Sequence, residues 1–333
     1  MVDTDRLAVL LELSRYGSMR AVADVMMTST STVSQQIASL ARETGVQLVE
    51  REGRGVRLTP AGRRLADHAV TILAAVEAAR ADLDPAADPA GTIRAGGFGT
   101  AVRRSLLPIA GELARTHPGV RVVVHELEPD EAREALLADR IDLALVYDYD
   151  LAPATVDRVI AAQPLWRTPL GLAMPSDLAP DPQPATLELF SRFARSAWIG
   201  NSRNPAEEVI LRVIASMAGF EPQVDHLADS LDLVEELVLA RLGVGLLPLD
   251  RPRRPGVAIV PLREPSAVNR AFVWTRKGRA AWPPLALMLS QLTGTTAASR
   301  PSAPFSPAPV SVKTAGAQSP GALPQPAKHE EGP

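Results

Sequence analysis

The sequence predicts an α/β domain preceded by a small helical domain and one long helix. Three observations carry this. Two short amphipathic segments separated by a polar break lie between Gly17 and Leu40, an apolar series at heptad spacing runs from Leu65 to Leu83, and from Ile93 onward strand-like and helix-like segments alternate. With 333 residues and 46% hydrophobic content, the chain buries a core of ordinary size and holds two or more domains.

Ser18 is placed to cap a first helix carrying Val22, Val25 and Met26. A polar break follows at Thr28 and Ser29, and a second helix, capped by Ser29, puts Val33, Ile37 and Leu40 on one face. The opposite face shows Thr30, Ser31, Ser34 and Gln35, with Thr32 and Gln36 beside them. These are small or amide-bearing side chains of the kind that reach phosphates and base edges in a major groove. Ser18 and Arg20 flank that face. Between Arg51 and Arg64 stand five arginines (Arg51, Arg54, Arg57, Arg63, Arg64) and one acid, Glu52. After two packed helices such a basic turn reads as a wing, so the segment reads as a winged helix-turn-helix, with Arg51, Arg54 and Arg57 toward DNA. The formal net charge of -3 says nothing against this, because the charge that matters for nucleic acid is local.

Thr59-Pro60 starts a helix, with a hydroxyl at the cap and proline in the first turn, and Asp84-Pro85 ends it after Leu83. Leu65, Ala69, Ile72, Val76, Ala79 and Leu83 alternate steps of four and three, the seam of a helix pair; the plain alternative is a helix packed on its own domain. After a hinge at residues 84–90, strands are expected at Ile93 to Phe98, Val120 to Leu127 and Ile141 to Tyr147, with helices at Thr100 to Thr116 and Asp130 to Asp139. Further strands fall near Leu170 to Met174, Ala197 to Gly200, Val244 to Pro248, Val257 to Leu262 and Arg270 to Thr275. Helices fall near Asn204 to Ala218, Asp229 to Leu242 and Trp282 to Leu292. This alternation implies a mostly parallel sheet. Residues 297–333 hold eight prolines and few bulky apolar residues, the composition of a disordered, solvated tail.

The N-terminal pattern resembles the LysR-type transcriptional regulators, in register and without a gap. Gly17-Ser18-Met19, Val22-Ala23, the Ser29 to Ile37 helix, Thr44-Gly45-Val46-Gln47-Leu48-Val49-Glu50-Arg51 and Leu58-Thr59-Pro60-Ala61-Gly62 stand for the family's motifs. Thr30, Ser31 and Gln35 replace the family's Gln, Pro and Arg, which bears on base preference and not on DNA binding. The resemblance covers about residues 1–292 and implies the rest of the organisation. It gives a DNA-binding domain at 1–59, a dimerising linker helix at 60–83, and a two-lobed, periplasmic-binding-protein-like effector domain at 91–296. Lobe 1 would take about 91–162 and 268–296, lobe 2 about 163–267. It also implies double-stranded promoter DNA, a small-molecule effector, RNA polymerase and a second copy of the chain as partners, in a dimer or dimer of dimers. The effector is expected between the lobes near Thr100, Tyr147, Asn201, Ser202 and Ser230. For Thr100, Ser202 and Ser230 a helix N-cap is the plain alternative. Helix N-termini facing a cleft favour an anionic effector.

Other chemistry finds no support. Gly96-Gly97-Phe98-Gly99 lacks the third glycine and the acidic partner of a dinucleotide fingerprint, and reads as a tight turn exposing helix N-terminal amides. The five histidines (His68, His117, His125, His226, His329) have no metal-ligand spacing, and there is no cysteine, nucleophile elbow or phosphate loop. Neither metal, cofactor nor enzymatic activity is expected. The N-terminus is not a secretion signal and no apolar run approaches a membrane span, so a cytoplasmic, membrane-free protein is expected. The alternative is a two-lobed solute-binding or enzymatic protein whose N-terminal helices serve assembly; retention on heparin that weakens with salt separates the two.

Overall fold

The computed structural model describes residues 2–53, 55–84, 88–252 and 254–298. Three helices open the chain: α1 (Thr4–Tyr16), α2 (Met19–Val25) and α3 (Thr30–Thr44). Gly17 closes α1 in the left-handed conformation (φ 63°), where a Cβ would be strained. Both expected caps form. Ser18 Oγ accepts from the Ala21 N–H at 3.4 Å, and Ser29 Oγ from the Thr32 N–H at 3.0 Å. Val22, Val33, Ile37 and Leu40 join Leu7, Leu10 and Leu48 in one buried cluster. Val25 and Met26 do not. Helix α2 ends at Val25, so Met26 lies beyond the helical spacing, and both side chains are largely exposed.

The wing is a hairpin of β1 (Val49–Glu52) and β2 (Gly55–Leu58), with Glu50 opposite Arg57. Arg54 lies outside the described residues. Helix α4 (Pro60–Leu83) has the expected bounds. Thr59 Oγ1 accepts from the Gly62 N–H at 3.0 Å and donates to the Gln47 carbonyl at 2.7 Å, tying the helix start to the wing. Its packing corrects the seam. Ala69 is fully buried and Leu65 packs beside it, together with Ala66 and Val70, in the cluster of the chain's own helices. Only the lower half of the series is open: Ile72 is 40% and Leu83 87% exposed, with Val76 and Ala79 between them.

Part of the hinge, residues 85–87, lies outside the described residues. Then come β3 (Gly91–Gly97), α5 (Gly99–Ala101), a π-helical turn (Val102–Leu106), α6 (Leu107–Thr116), β4 (Val120–Glu126), α7 (Pro129–Leu137) and β5 (Leu143–Tyr149). These are followed by β6 (Ile160–Pro175), α8 (Thr186–Arg192), β7 (Ala197–Gly200), α9 (Pro205–Met217), β8 (Gln223–Leu227), α10 (Leu231–Leu239) and β9 (Val244–Pro248). The last are β10 (Val257–Pro261), β11 (Val268–Arg276) and α11 (Pro283–Ala298). One continuous sheet runs β4-β3-β5-β11-β6-β9-β7-β8, with β10 also on β6.

Long strand β6 joins the two lobes: up to Pro169 it pairs with β11, and from Leu170 with β9 and β10. The sheet is mixed and not mostly parallel. β3, β4 and β5 pair in parallel, as do β7, β8 and β9, but every pairing of β6 and of β11 is antiparallel. Alternation on β5 fills both faces of lobe 1. Leu143 and Leu145 meet Leu106, Leu113 and Met288, while Ala144 and Val146 meet Ala132, Leu136 and Trp274. Lobe 2 packs Leu172, Phe190, Trp198 and Ile210 on one side and Ile199, Val234 and Leu247 on the other. Residues 299–333, most of the expected tail, lie outside the described residues.

Candidate nucleic-acid interface and effector cleft

The N-terminal face of α3 is open. Thr30, Ser31, Thr32, Ser34 and Gln35 are exposed and Gln36 is half-buried, while Val33, Ile37 and Leu40 on the other side are sealed in the core. The Ser29, Ser31 and Thr32 hydroxyls are linked at 2.7–2.8 Å through Ser29, so this turn is pre-ordered by local hydrogen bonds. Ser18, Arg20 and Arg51 are exposed as well. Arg57 is paired with Glu50 at 2.8 Å across the hairpin. An exposed pair of this kind contributes under about 1 kcal/mol, so a phosphate competes with the carboxylate readily.

The two lobes meet where β5, the start of α7 and the start of α9 converge. Tyr147 and Tyr149 share a face of β5, and their rings lie edge-on at 5.7 Å. The Tyr147 hydroxyl donates to Glu128 Oε2 at 2.8 Å and the Tyr149 hydroxyl to Glu207 Oε2 at 3.2 Å. Arg203 bridges the lobes, pairing with Glu131 of α7 and, at 3.0 Å, with Asp229. Burial pushes the Glu128 carboxyl up to about 7 against the lowering effect of Tyr147, and burial likewise pushes Glu207 up to about 7. Both tyrosines are raised well above their ordinary range, by burial and then by these carboxylates. Glu131 is lowered by the Glu128 backbone N–H it accepts from, and then by Arg203.

Of the residues expected around the effector, the structure brings Tyr147 into this cluster. Asn201 stands next to it, its Oδ1 occupied by the backbone N–H groups of Arg203 and Asn204 at 2.8 Å each. Thr100 sits half-buried on α5, behind Phe98, whose ring meets Tyr147 at 4.6 Å. Neither Thr100 nor Ser202 is a helix cap: Phe98 precedes α5 without a side-chain bond, and Asn204 caps α9 by accepting from the Ala206 N–H. Ser202 is exposed, and Ser230 precedes α10 without a side-chain cap bond. Sequence reading missed Glu128, Glu131, Tyr149, Arg203 and Glu207. The alternation of Tyr147 and Tyr149 is the one local signal for them. The glycines before α5 serve packing, since a Cβ on Gly96 would stand 2.9 Å from Ile141 and Leu127 side chains.

The charge of the cleft opposes the anion expected from helix N-termini. Glu131 and Asp229 pair with one guanidinium, that of Arg203, which also acts on Glu128. Among the described residues Glu207 has only Tyr149 and the charges of Glu128 and Asp229 around it, and α9 carries Glu207 and Glu208 in its first turn. Because the folded values of Glu128 and Glu207 are raised, their stabilising contribution is complete below about pH 4.5 and is lost as pH rises through about 7, on the order of 3 kcal/mol per group at most. The lowered Glu131, Asp177 and Asp232 change at acid pH, outside this window. The effector domain should therefore melt at lower temperature at pH 8 than at pH 5.5, and Glu128→Gln with Glu207→Gln should flatten that dependence. An equal pH slope in parent and double variant would show that these carboxyls do not titrate there.

A winged helix-turn-helix joined by a long helix to a two-lobed α/β domain is the build of a DNA-binding regulator that responds to a ligand. A family model described as bacterial regulatory helix-turn-helix protein, lysR family, matches residues 4–63, and one described as LysR substrate binding domain matches residues 86–297. The chain belongs to the LysR family of transcriptional regulators. It is 31% identical over 230 residues to the transcriptional dual regulator GltC of Bacillus subtilis, spanning 66% of this chain and 71% of that one. It is 33% identical over 169 residues to a probable hydrogen peroxide-inducible genes activator of Mycobacterium xenopi, spanning 50% of this chain and 85% of that one. Among solved structures, a full-length OxyR point variant from Pseudomonas aeruginosa shares the fold with a TM-score of 0.67 at 19% identity, covering 88% of this chain and 95% of that one. HinK, also from Pseudomonas aeruginosa, aligns with a TM-score of 0.53 at 21% identity over 89% of this chain and 99% of that one. Among the described residues, no helix is long and apolar enough to cross a membrane.

Proposed function

We propose that the chain binds promoter DNA with the open face of α3 in the major groove and with Arg51, Arg54 and Arg57 against the phosphates, and that it acts on transcription through RNA polymerase. The observation that carries this is the two-sided character of α3: apolar positions sealed, and on the other side exposed hydroxyls and an exposed amide, with the first turn pre-ordered through Ser29, Ser31 and Thr32. Two copies join along Ile72, Val76, Ala79 and Leu83, as a dimer or a dimer of dimers. A promoter target puts the protein in the cytoplasm, and no catalytic step is assigned to it. The domain limits are those read from the sequence, but the first crossover is set at Pro169–Leu170 within β6, later than residue 162, because β6 pairs with β11 up to Pro169 and with β9 from Leu170; the second is at the start of β11.

The effector site of this reading is the cleft around Tyr147, Glu128, Glu207 and Arg203, with Thr100 and Asn201 at its margin and Ser202 and Ser230 outside it. Its acidic lining favours a small ligand that is cationic or rich in hydrogen-bond donors, because buried carboxylates without a counter-charge are costly. The test is a thermal-shift screen of the full chain against small amines, amino acids and carboxylates. A ligand that stabilises the parent should bind Tyr147→Phe roughly tenfold more weakly, as the loss of one hydrogen bond to a charged group implies. If Tyr147→Phe, Glu207→Gln and Thr100→Val all keep the parent's affinity, the site lies elsewhere.

A further inference from the structure

The DNA-binding helices are tied to lobe 1 by buried charge. Arg15, in the last turn of α1, donates from Nε to Asp139 Oδ2 at 2.6 Å, and both side chains are nearly inaccessible to water. Arg276 approaches the same aspartate at 4.0 Å and holds Asp67 of α4 at 2.6 Å. Thr71 of α4 donates to the Lys277 carbonyl at 3.2 Å, and Gly278 leaves no room for a Cβ beside it. These contacts border a hollow of about 550 Å³, with Leu13, Val56 and Arg63 on one side and Leu137, Ala138 and Val159 on the other.

Asp139 lies just past the end of α7, in the left-handed conformation (φ 54°) that aspartate tolerates better than most residues. Helix α7 therefore has one end in each place. Its first turn lies in the cleft, through Glu128 to Tyr147 and Glu131 to Arg203, and its last residue leads to the aspartate that holds α1. Nine residues carry the connection over about 13 Å. Its buried face is Ala132, Ala135 and Leu136, packed against Ala144, Val146, Ile160 and Trp274 of the sheet, so the helix moves as one rigid piece and a shift at one end is carried to the other. At the far end Arg15 Nη2 and Glu12 Oε2 are buried without a hydrogen-bond partner among the described residues.

We propose that α7 is a coupling rod between the cleft and the DNA-binding domain. Tightening or release of the Arg203–Glu131 bridge at one end shifts Asp139 at the other, and with it Arg15, α1 and the setting of α3. Its physiological trigger rests on the reading of the cleft as the effector site. The coupling itself belongs to the chain and is measured without a ligand, so failure of one is distinguishable from failure of the other.

The test is hydrogen exchange on four full-length proteins: parent, Arg203→Met, Arg15→Met and the double variant. Arg203→Met should speed exchange at the first turn of α7 and also at the last turn of α1, about fivefold or more, and in the Arg15→Met background it should add nothing at α1. Where Arg15→Met loosens all of α1, Arg15→Lys, which keeps the charge but not the Nε donor, serves the same comparison. Faster exchange at α7 with α1 unchanged overturns the proposal. So do independent, additive effects at α1, and so does no change at α7, since the bridge would then not hold that helix.

Discussion

Gly62→Ala is expected to melt the DNA-binding domain well before the effector domain. Gly62 is buried at the start of α4, and a Cβ there would fall inside the contact distance of the Leu48 carbonyl oxygen, a backbone atom in a fully buried residue. That carbonyl also accepts from the Thr59 N–H at 3.0 Å, so it does not turn aside without breaking the junction between wing and helix. Overpacking of this kind costs about 3 kcal/mol, which for a domain of this size lowers the melting temperature by roughly 15 °C. The tryptophans, at 166, 198, 274 and 282, all lie in the effector domain, so they report on it alone. Far-UV circular dichroism should thus show an early transition that tryptophan fluorescence does not. A single transition at the parent's midpoint by both probes would mean that α4 relaxes around the new methyl group.

Ile72→Asp is expected to separate the dimer without unfolding the chain. Ile72 lies on the open half of the seam, so a charge is harmless in the monomer and costly only where a partner helix would desolvate it. Losing the second recognition helix removes the avidity of two half-sites, a factor on the order of 100 in operator affinity. Sedimentation should show a particle of half the mass with unchanged tryptophan fluorescence. A variant that stays dimeric with full affinity would move the interface off α4.

What was legible in the sequence was local. Ser18, Ser29 and Thr59 declare themselves because a capping hydroxyl meets a backbone N–H two or three residues on, and the face of α3 follows from helical periodicity over a helix of 15 residues. The same periodicity failed at Val25 and Met26 because α2 is only seven residues long. On α4 the spacing was right and the partner was not: Leu65 and Ala69 are covered by the chain's own helices, which no heptad pattern reveals. Strand β8 lies at the edge of the sheet with alternate residues exposed, so it lacks the apolar run that marked β7, β9 and β10, and β6 runs through its crossover without the break a lobe boundary suggests. The cleft was legible least. Glu128 and Tyr147 meet through the topology of lobe 1, and Arg203 and Glu207 reach them only across the junction of the two lobes, so the sign of the cleft's charge came from the structure alone.

Whether the face of α3 and the wing bind duplex DNA is read from the fluorescence anisotropy of a labelled duplex titrated with the full chain across a range of salt concentrations. The logarithm of affinity should fall linearly with the logarithm of salt. Arg51→Ala should weaken binding to every sequence and reduce the slope by about 1, while Gln35→Ala should leave the slope unchanged and relax preference at one base position. No binding at low salt, or an Arg51→Ala slope equal to the parent's, would show that the wing does not hold DNA.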